Sequence, residues 1–387
     1  MDFNAESTVL FRRVNGSLKQ IIKIDLSGEV PEKDNLELIL NIRDTVSKFD
    51  LRDQDLKIGG QPSYYIEVPE IIEDVSAAAV LVHGGSKTEK ELLLKKRRRW
   101  EVHLQTFTHT DFGYTDLPSN IPGEYEKFLK EVIDYCDETK DFDELSRFRW
   151  NTESGSWLEL AIKSISDAEL NKFVDLAREG RIELQPFYEP HVSEYYDEEI
   201  LIRSLYFAFD FARKNNLKIE TAVATDVPGL PWLLPQILNR SGIKYLTTAS
   251  NTYMAKPLDI ERPFYWEYLD GSRVLLYEAD RRFQYQEGPM LGFSSNYIEA
   301  LKKLPVYLLD LEKDSSSFKY DLLSLRAPGT LGDNTPPNIS MSYIAKEWNN
   351  KWEYPKIVVS TFTKYFKKFE EKYGRDLKNF RASWPNW

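Results

Sequence analysis

The chain has 387 residues, 42% apolar and 13% aromatic, enough for a large core and long for a single domain. A formal net charge of −11 excludes nucleic acid or an anionic membrane as the main partner, and no run approaches the roughly 18 apolar residues of a membrane-spanning helix. The single cysteine, Cys136, excludes an internal disulfide and suits a cytoplasmic compartment, although a secreted chain with its leader removed would read the same way.

From Thr8 to Val82 the chain reads as short alternating strands: Val9–Phe11, Leu18–Ile24, Leu36–Ile42, Tyr64–Val68 and Ala78–Val82. Turns such as Asn15-Gly16, Gly59-Gly60 and Gly84-Gly85 separate them, a spacing that predicts a small antiparallel β-sandwich over residues 1–97. His83, at a strand end before two glycines, reads as structural. The basic run Lys95-Lys96-Arg97-Arg98-Arg99 reads as a domain junction or a solvated strand edge.

Beyond it, over residues 98–387, the rhythm changes to strand, polar turn, helix. Val102–Phe107 is the first strand. A helix entered at Pro122 carries Tyr125, Phe128, Leu129, Val132, Ile133 and Cys136 on one face, so Cys136 belongs to a buried stripe. Further strands are expected at Phe148–Trp150, Ile182–Gln185, Ile219–Ala224, Tyr245–Thr248, Val274–Tyr277, Leu322–Leu325 and Ile357–Ser360. Helices are expected near Trp157–Ile165, Asp167–Arg178, Glu198–Lys214, Leu233–Asn239 and Thr363–Tyr373. Such alternation predicts an α/β fold with a seven-stranded, barrel-like parallel sheet, or an open one, and a site at the carboxyl ends of its strands.

Polar residues gather at those ends. His109 and Asp111, two apart after a strand, point the same way, and imidazole with carboxylate is a pair suited to zinc or another first-row metal. Asp226, in Thr225-Asp226-Val227-Pro228-Gly229, and Asp333, in Gly332-Asp333-Asn334, leave two later strands. A turn-tightening role for Asp226 has equal weight from its local sequence alone. His191 is a further histidine at a strand exit, read as a surface or core residue ahead of a ligand. The chain holds 9 Trp and 22 Tyr, which suit cores and also clefts that stack on sugar rings.

Phe107-Thr108-His109-Thr110-Asp111-Phe112-Gly113-Tyr114 resembles the His-x-Asp-x-Gly-aromatic signature of glycoside hydrolase family 38, the α-mannosidases. Asp226-Val227-Pro228-Gly229, continuing through Leu234-Pro235-Gln236-Ile237-Leu238 and Ser241–Tyr245, resembles the family's nucleophile segment, and the likeness runs from about Trp100 to Trp387. The resemblance implies a retaining, zinc-assisted hydrolase acting on an α-mannoside or related glycan. It further implies His109, Asp111 and Asp226 as metal ligands, Asp226 as nucleophile, Asp333 as acid/base, and Tyr114 as a sugar-stacking ring. Trp150 and Glu153 are expected in the cleft, Glu153 as a second candidate acid. The family carries another histidine downstream of the nucleophile segment, whereas this chain has none after His191. Its Phe380–Trp387 resembles a segment internal to longer relatives, which implies a chain cut short. Two other readings stay open: a metal-dependent sugar deacetylase on a related barrel, and a non-catalytic carbohydrate-binding fragment. A homo-oligomer is compatible with all three.

Overall fold

The computed structural model describes residues 1–27, 35–43, 45–53, 58, 63–189, 193–227, 229–250, 260–313 and 318–384. His191 and the last three residues of the chain lie outside them.

The first seven strands make two antiparallel sheets. One orders β1 (Asp2–Val14), β2 (Ser17–Ser27) and β5 (Ser63–Pro69); the other orders β4 (Thr45–Asp50), β3 (Leu36–Ile42), β6 (Val75–His83) and β7 (Ser86–Leu94). Alternating residues from both, among them Ile22, Ile24, Ile66, Leu38, Leu81 and Leu94, share one core. Strands β4 and β7 were not expected. Both are largely exposed, so neither carries the apolar alternation that marks a half-buried strand.

The basic run follows β7. Arg97 and Glu312 form a buried ion pair at 3.3 Å, and Glu312 also accepts from the Arg98 backbone N–H and from Trp100 Nε1, each at 2.9 Å. Arg98 Nη1 donates to the carbonyls of Phe318 and Tyr320, at 2.7 and 3.0 Å. These arginines are anchors rather than a solvated edge.

The rest is α/β. Strand β8 (Glu101–Phe107) pairs in parallel along one edge with β15 (Leu322–Pro328). Its other edge takes β16 (Lys356–Ser360) below and β9 (Trp150–Asn151) above, and β9 continues to β10 (Ile182–Glu183). A second sheet orders β11 (Thr221–Val227), β12 (Tyr245–Ser250), β14 (Arg273–Glu278), β13 (Phe264–Glu267) and β17 (Asn379–Phe380). Its first three strands are parallel, and β13 is antiparallel to β14, an inversion the periodicity did not reveal. Among the described residues no ladder joins the two sheets, so the parallel strands form half-barrels and not a closed hydrogen-bonded ring of seven.

Side chains span the gaps. Between β14 and β15, Tyr277 Oη donates to the Ser324 carbonyl at 3.1 Å. The buried Glu287, from α7 (Glu287–Met290), accepts from Asp280 N at 2.9 Å and from Arg326 N at 2.7 Å. On the far side Glu183 accepts from Thr363 N at 2.9 Å, and Thr363 shares a 2.6 Å hydroxyl contact with Thr221.

Helices cover the outside. They are α1 (Ile121–Glu138), α2 (Gly155–Ser164), α3 (Asp167–Arg178), α4 (Glu198–Arg203), α5 (Tyr206–Asn215), α6 (Leu234–Arg240), α8 (Tyr297–Lys313), α9 (Ser340–Lys351) and α10 (Phe362–Tyr373). The helix expected over Glu198–Lys214 is two, broken at Ser204-Leu205. Neither α8 nor α9 was expected. Proline at position 305, which removes a helical hydrogen bond, disguises the apolar face that α8 lays on the core. No helix among the described residues is long and apolar enough to cross a membrane.

Candidate active site

The site is built on three strand exits. The strand β8 ends at Phe107, and its continuation carries His109 into the interior, 2% exposed. Its ring has two faces of different character. Nδ1 meets Glu153 Oε1 at 3.0 Å, and Glu153 Oε2 accepts from Thr110 N at 2.6 Å. Nε2 is buried with no hydrogen-bond partner. Around it stand Asp111 Oδ1 at 3.9 Å and Asp226 Oδ2 at 4.0 Å, while ligand atoms of His109, Asp111 and Asp333 lie within 4.8 Å of one another.

Asp226 reaches this point through a backbone irregularity. The β11–β12 register slips between Thr225 and Val227, and Asp226 adopts φ 55°, the left-handed region that aspartate tolerates better than most residues. The carboxylate is thereby turned out of the sheet plane toward the site.

The third exit comes from β15. Gly332, at φ 117°, and Asn334, at φ 50°, turn the chain so that Asp333 and Asn334 face the His109 loop. Asn334 is a clamp: its N–H donates to the His109 carbonyl at 2.7 Å, its Oδ1 accepts from Asp111 N at 2.7 Å, and its Nδ2 donates to the Asp111 carbonyl at 2.8 Å and to Thr115 Oγ1. Asp333 accepts a hydrogen bond from Tyr285 Oη, and the Tyr285 ring lies 4.3 Å from that of His109. Neither Tyr285 nor the clamping role of Asn334 had been expected. Tyr285 lies in no motif, and its place depends on the turn at Asp280.

Electrostatics follow from four carboxyl groups around one imidazole. Burial would lower the His109 pKa, but Glu153 at Nδ1, then Asp111 and Asp226, outweigh it and push it up to about 9. Burial, then the charges of Asp111, Asp333 and Glu153, raise Asp226 to about 6 against the pull of His109. Asp111 is raised by burial and by the neighbouring charges of Asp333 and Glu153, against the pull of His109.

The donor set fits a divalent metal. A buried, unpartnered imidazole nitrogen faces carboxylate oxygens, and its other nitrogen is oriented by a carboxylate, the arrangement that fixes the tautomer of a metal-binding histidine. His109 and Asp111 would supply ligands with Asp226 or Asp333, whose oxygens border the same space.

Two expected cleft residues lie elsewhere. Glu153 is buried behind His109 with both oxygens engaged, and Trp150 is 4% exposed in the core with Phe148 and Trp157. The strand alternation that aims Asn151 at the carbonyls of Thr106 and Ser360 turns Trp150 the other way. Tyr114, by contrast, is 86% exposed beside the site, and Phe112, also exposed, stacks on Trp157 at 5.4 Å.

The family model described as "Glycosyl hydrolases family 38 N-terminal domain" matches residues 99–384. A search of curated proteins found no match. Among solved structures, the chain resembles an alpha-mannosidase from Enterococcus faecalis V583 at 14% identity and TM-score 0.60, over 74% of this chain and 31% of that one. It also resembles a 4-alpha-glucanotransferase from Thermococcus litoralis at 17% identity and TM-score 0.51, over 74% of this chain and 42% of that one. At such identities the likeness concerns the fold, and the chain spans less than half the length of either protein.

Proposed function

The chain belongs to glycosyl hydrolase family 38, whose N-terminal domain it carries over residues 99–384, and from that premise we propose that it hydrolyses α-mannosidic or closely related glycosidic bonds with retention of configuration. The observation that supports this most is the convergence of Asp111, Asp226 and Asp333 from separate strand exits on the one unpartnered nitrogen of His109. In this reading residues 1–97 are an accessory β domain beside a hydrolase domain of residues 98–387, and the partner is a carbohydrate.

Asp226 is the nucleophile. Glycoside cleavage passes through an oxocarbenium-like transition state, which a carboxylate on one face traps as a covalent glycosyl ester. A second carboxyl must protonate the leaving oxygen and later take a proton from water. We assign this to Asp333, beside Asp111 and within hydrogen-bond reach of Tyr285. His109, Asp111 and Asp226 would hold zinc, which when bound supplies positive charge that engages sugar hydroxyls and keeps Asp226 ionised at neutral pH. Glu153 fixes the His109 tautomer, and Asn334 holds the His109–Asp111 backbone in place. Phe112 and Tyr114 present rings on which a pyranose face can stack.

The test is incubation of the zinc-loaded chain with an aryl α-mannoside, with the product anomer followed by NMR, and with a 5-fluoro mannosyl fluoride. Aryl release with an α-anomer formed first, and a fluorosugar label mapped to Asp226 by peptide mass spectrometry, is expected. No turnover at stoichiometric zinc, or a label on another residue, would overturn the reading.

A further inference from the structure

Arg326 lies inside β15 with none of its surface exposed. A buried guanidinium is tolerated only where its charge and its donors are answered. Here Nη1 donates to Thr225 Oγ1 at 2.7 Å and Nη2 to Thr247 Oγ1 at 2.9 Å, Cζ lies 5.7 Å from the centre of the Phe362 ring, and Nε is left without a partner. The backbone N–H of Arg326 is taken by Glu287. Thr225 and Thr247 belong to β11 and β12, in the other sheet, across a gap that no ladder spans among the described residues.

What the fork touches is informative. Thr225 is the last residue in regular register before Asp226, and its neighbour holds the left-handed φ that turns the carboxylate toward His109. Arg326 itself sits on the strand that runs on to Asp333 and Asn334. One rigid, planar group therefore connects the strand bearing one candidate carboxyl to the strand bearing the other. A lysine could supply the charge but not both parallel contacts.

We propose that Arg326 is a positioning residue: its fork to Thr225 and Thr247 holds the Asp226 bulge and so sets where the Asp226 carboxylate stands relative to His109 and Asp333. The kinetic half of this proposal rests on the mannosidase reading above; the structural half does not.

The experiment takes the full chain as wild type, Arg326→Met, Arg326→Lys and Thr225→Val, and determines a crystal structure and zinc-loaded aryl α-mannoside kinetics for each. In Arg326→Met and Thr225→Val, Asp226 is expected to leave its positive φ and its carboxylate to move away from the 4.0 Å approach to His109 Nε2. Their kcat is expected to fall about 100-fold, the size of effect that a 1 Å misplacement brings, with KM changed only about threefold or less. Arg326→Lys should recover part of kcat. A guanidinium that merely fills the interior would lower Tm and leave both φ and kcat as in the wild type, and that result overturns the proposal. If Arg326→Met does not fold, Thr225→Val, which removes one arm only, decides on the same criteria. A wild type that hydrolyses no α-mannoside refutes the functional reading, while the position of Asp226 in the variants still decides the role of Arg326.

Discussion

At residue scale, Asp226 joins an unusual backbone to the carboxylate proposed as nucleophile, and the two can be separated. Asparagine shares aspartate's tolerance of the left-handed region, so Asp226→Asn should keep the bulge and the wild-type Tm. Its activity should fall below about a thousandth of the wild type, the scale on which loss of a nucleophile is felt. An intact rate would remove Asp226 from the reaction. Glu153 gives a second case. Both of its oxygens accept, one at His109 Nδ1 and one from Thr110 N–H, and glutamine would turn a donor toward one of them. Glu153→Gln should weaken zinc binding about 10–100-fold by calorimetry, the usual effect of loosening a ligand's own support, and wild-type affinity would show that Glu153 orients nothing. His109, Asp111 and Asp226 were legible as candidates because strand exits concentrate polar residues after apolar runs. The place of Glu153 was not, since a carboxylate that faces a substrate and one that braces a histidine look the same in one dimension.

At element scale, the loop from Gly329 to Pro336 delivers both Asp333 and Asn334 and owes its path to close packing of its own backbone. A Cβ on Gly329 would meet the Pro336 carbonyl oxygen at 1.8 Å, and backbone cannot step aside as a flexible side chain can. Gly329→Ala should therefore cost about 1–3 kcal/mol in denaturant titrations and, by displacing Asp333, reduce turnover far more than Tm suggests. Equal stability and rate would mean the loop is more pliable than its packing indicates. The same contrast explains what was readable among the elements. Strands buried on both faces announce themselves as apolar runs, as β8, β11 and β15 do. The exposed β4 and β7, the proline-bearing α8 and the inverted β13 lack any such mark, because what holds them is pairing with distant chain. Arg326 was the overlooked signal: one charge in the otherwise uncharged, buried run Leu322–Pro328 implies interior partners.

On the scale of the molecule, two buried carboxylates tie separate parts together, with opposite consequences. Glu312 answers Arg97, the Arg98 N–H and the Trp100 indole at once. Truncation by Glu312→Ala leaves Arg97 buried and unpaired, and should cost about 3–5 kcal/mol in equilibrium unfolding, the range for a broken buried pair. A cost below about 1 kcal/mol would place the pair in effective contact with water. Glu287 is pushed up to about 8, chiefly by burial. With its folded pKa above the unfolded value, the folded state binds the extra proton. The stabilisation this gives is complete below about pH 4, shrinks as pH rises, and is gone above about pH 8. The stability gap between wild type and Glu287→Gln should therefore narrow steadily between pH 5 and about 8, read from urea titrations at each pH. A constant gap would mean that Glu287 does not change its protonation on unfolding.

The side chains that span the two gaps in the parallel strands have one more consequence. A hydrogen-bonded ladder locks neighbouring strands into discrete offsets, because sliding by a single residue turns every side chain to the wrong face. A bridge such as Glu287 or Glu183 has no such quantum. Exchanging it for a residue one methylene shorter or longer changes the breadth of the cleft by a fraction of a strand step and leaves every pairing intact. The spacing between the strand ends is thus a continuous variable set from inside the fold, open to adjustment without altering a single residue of the candidate site.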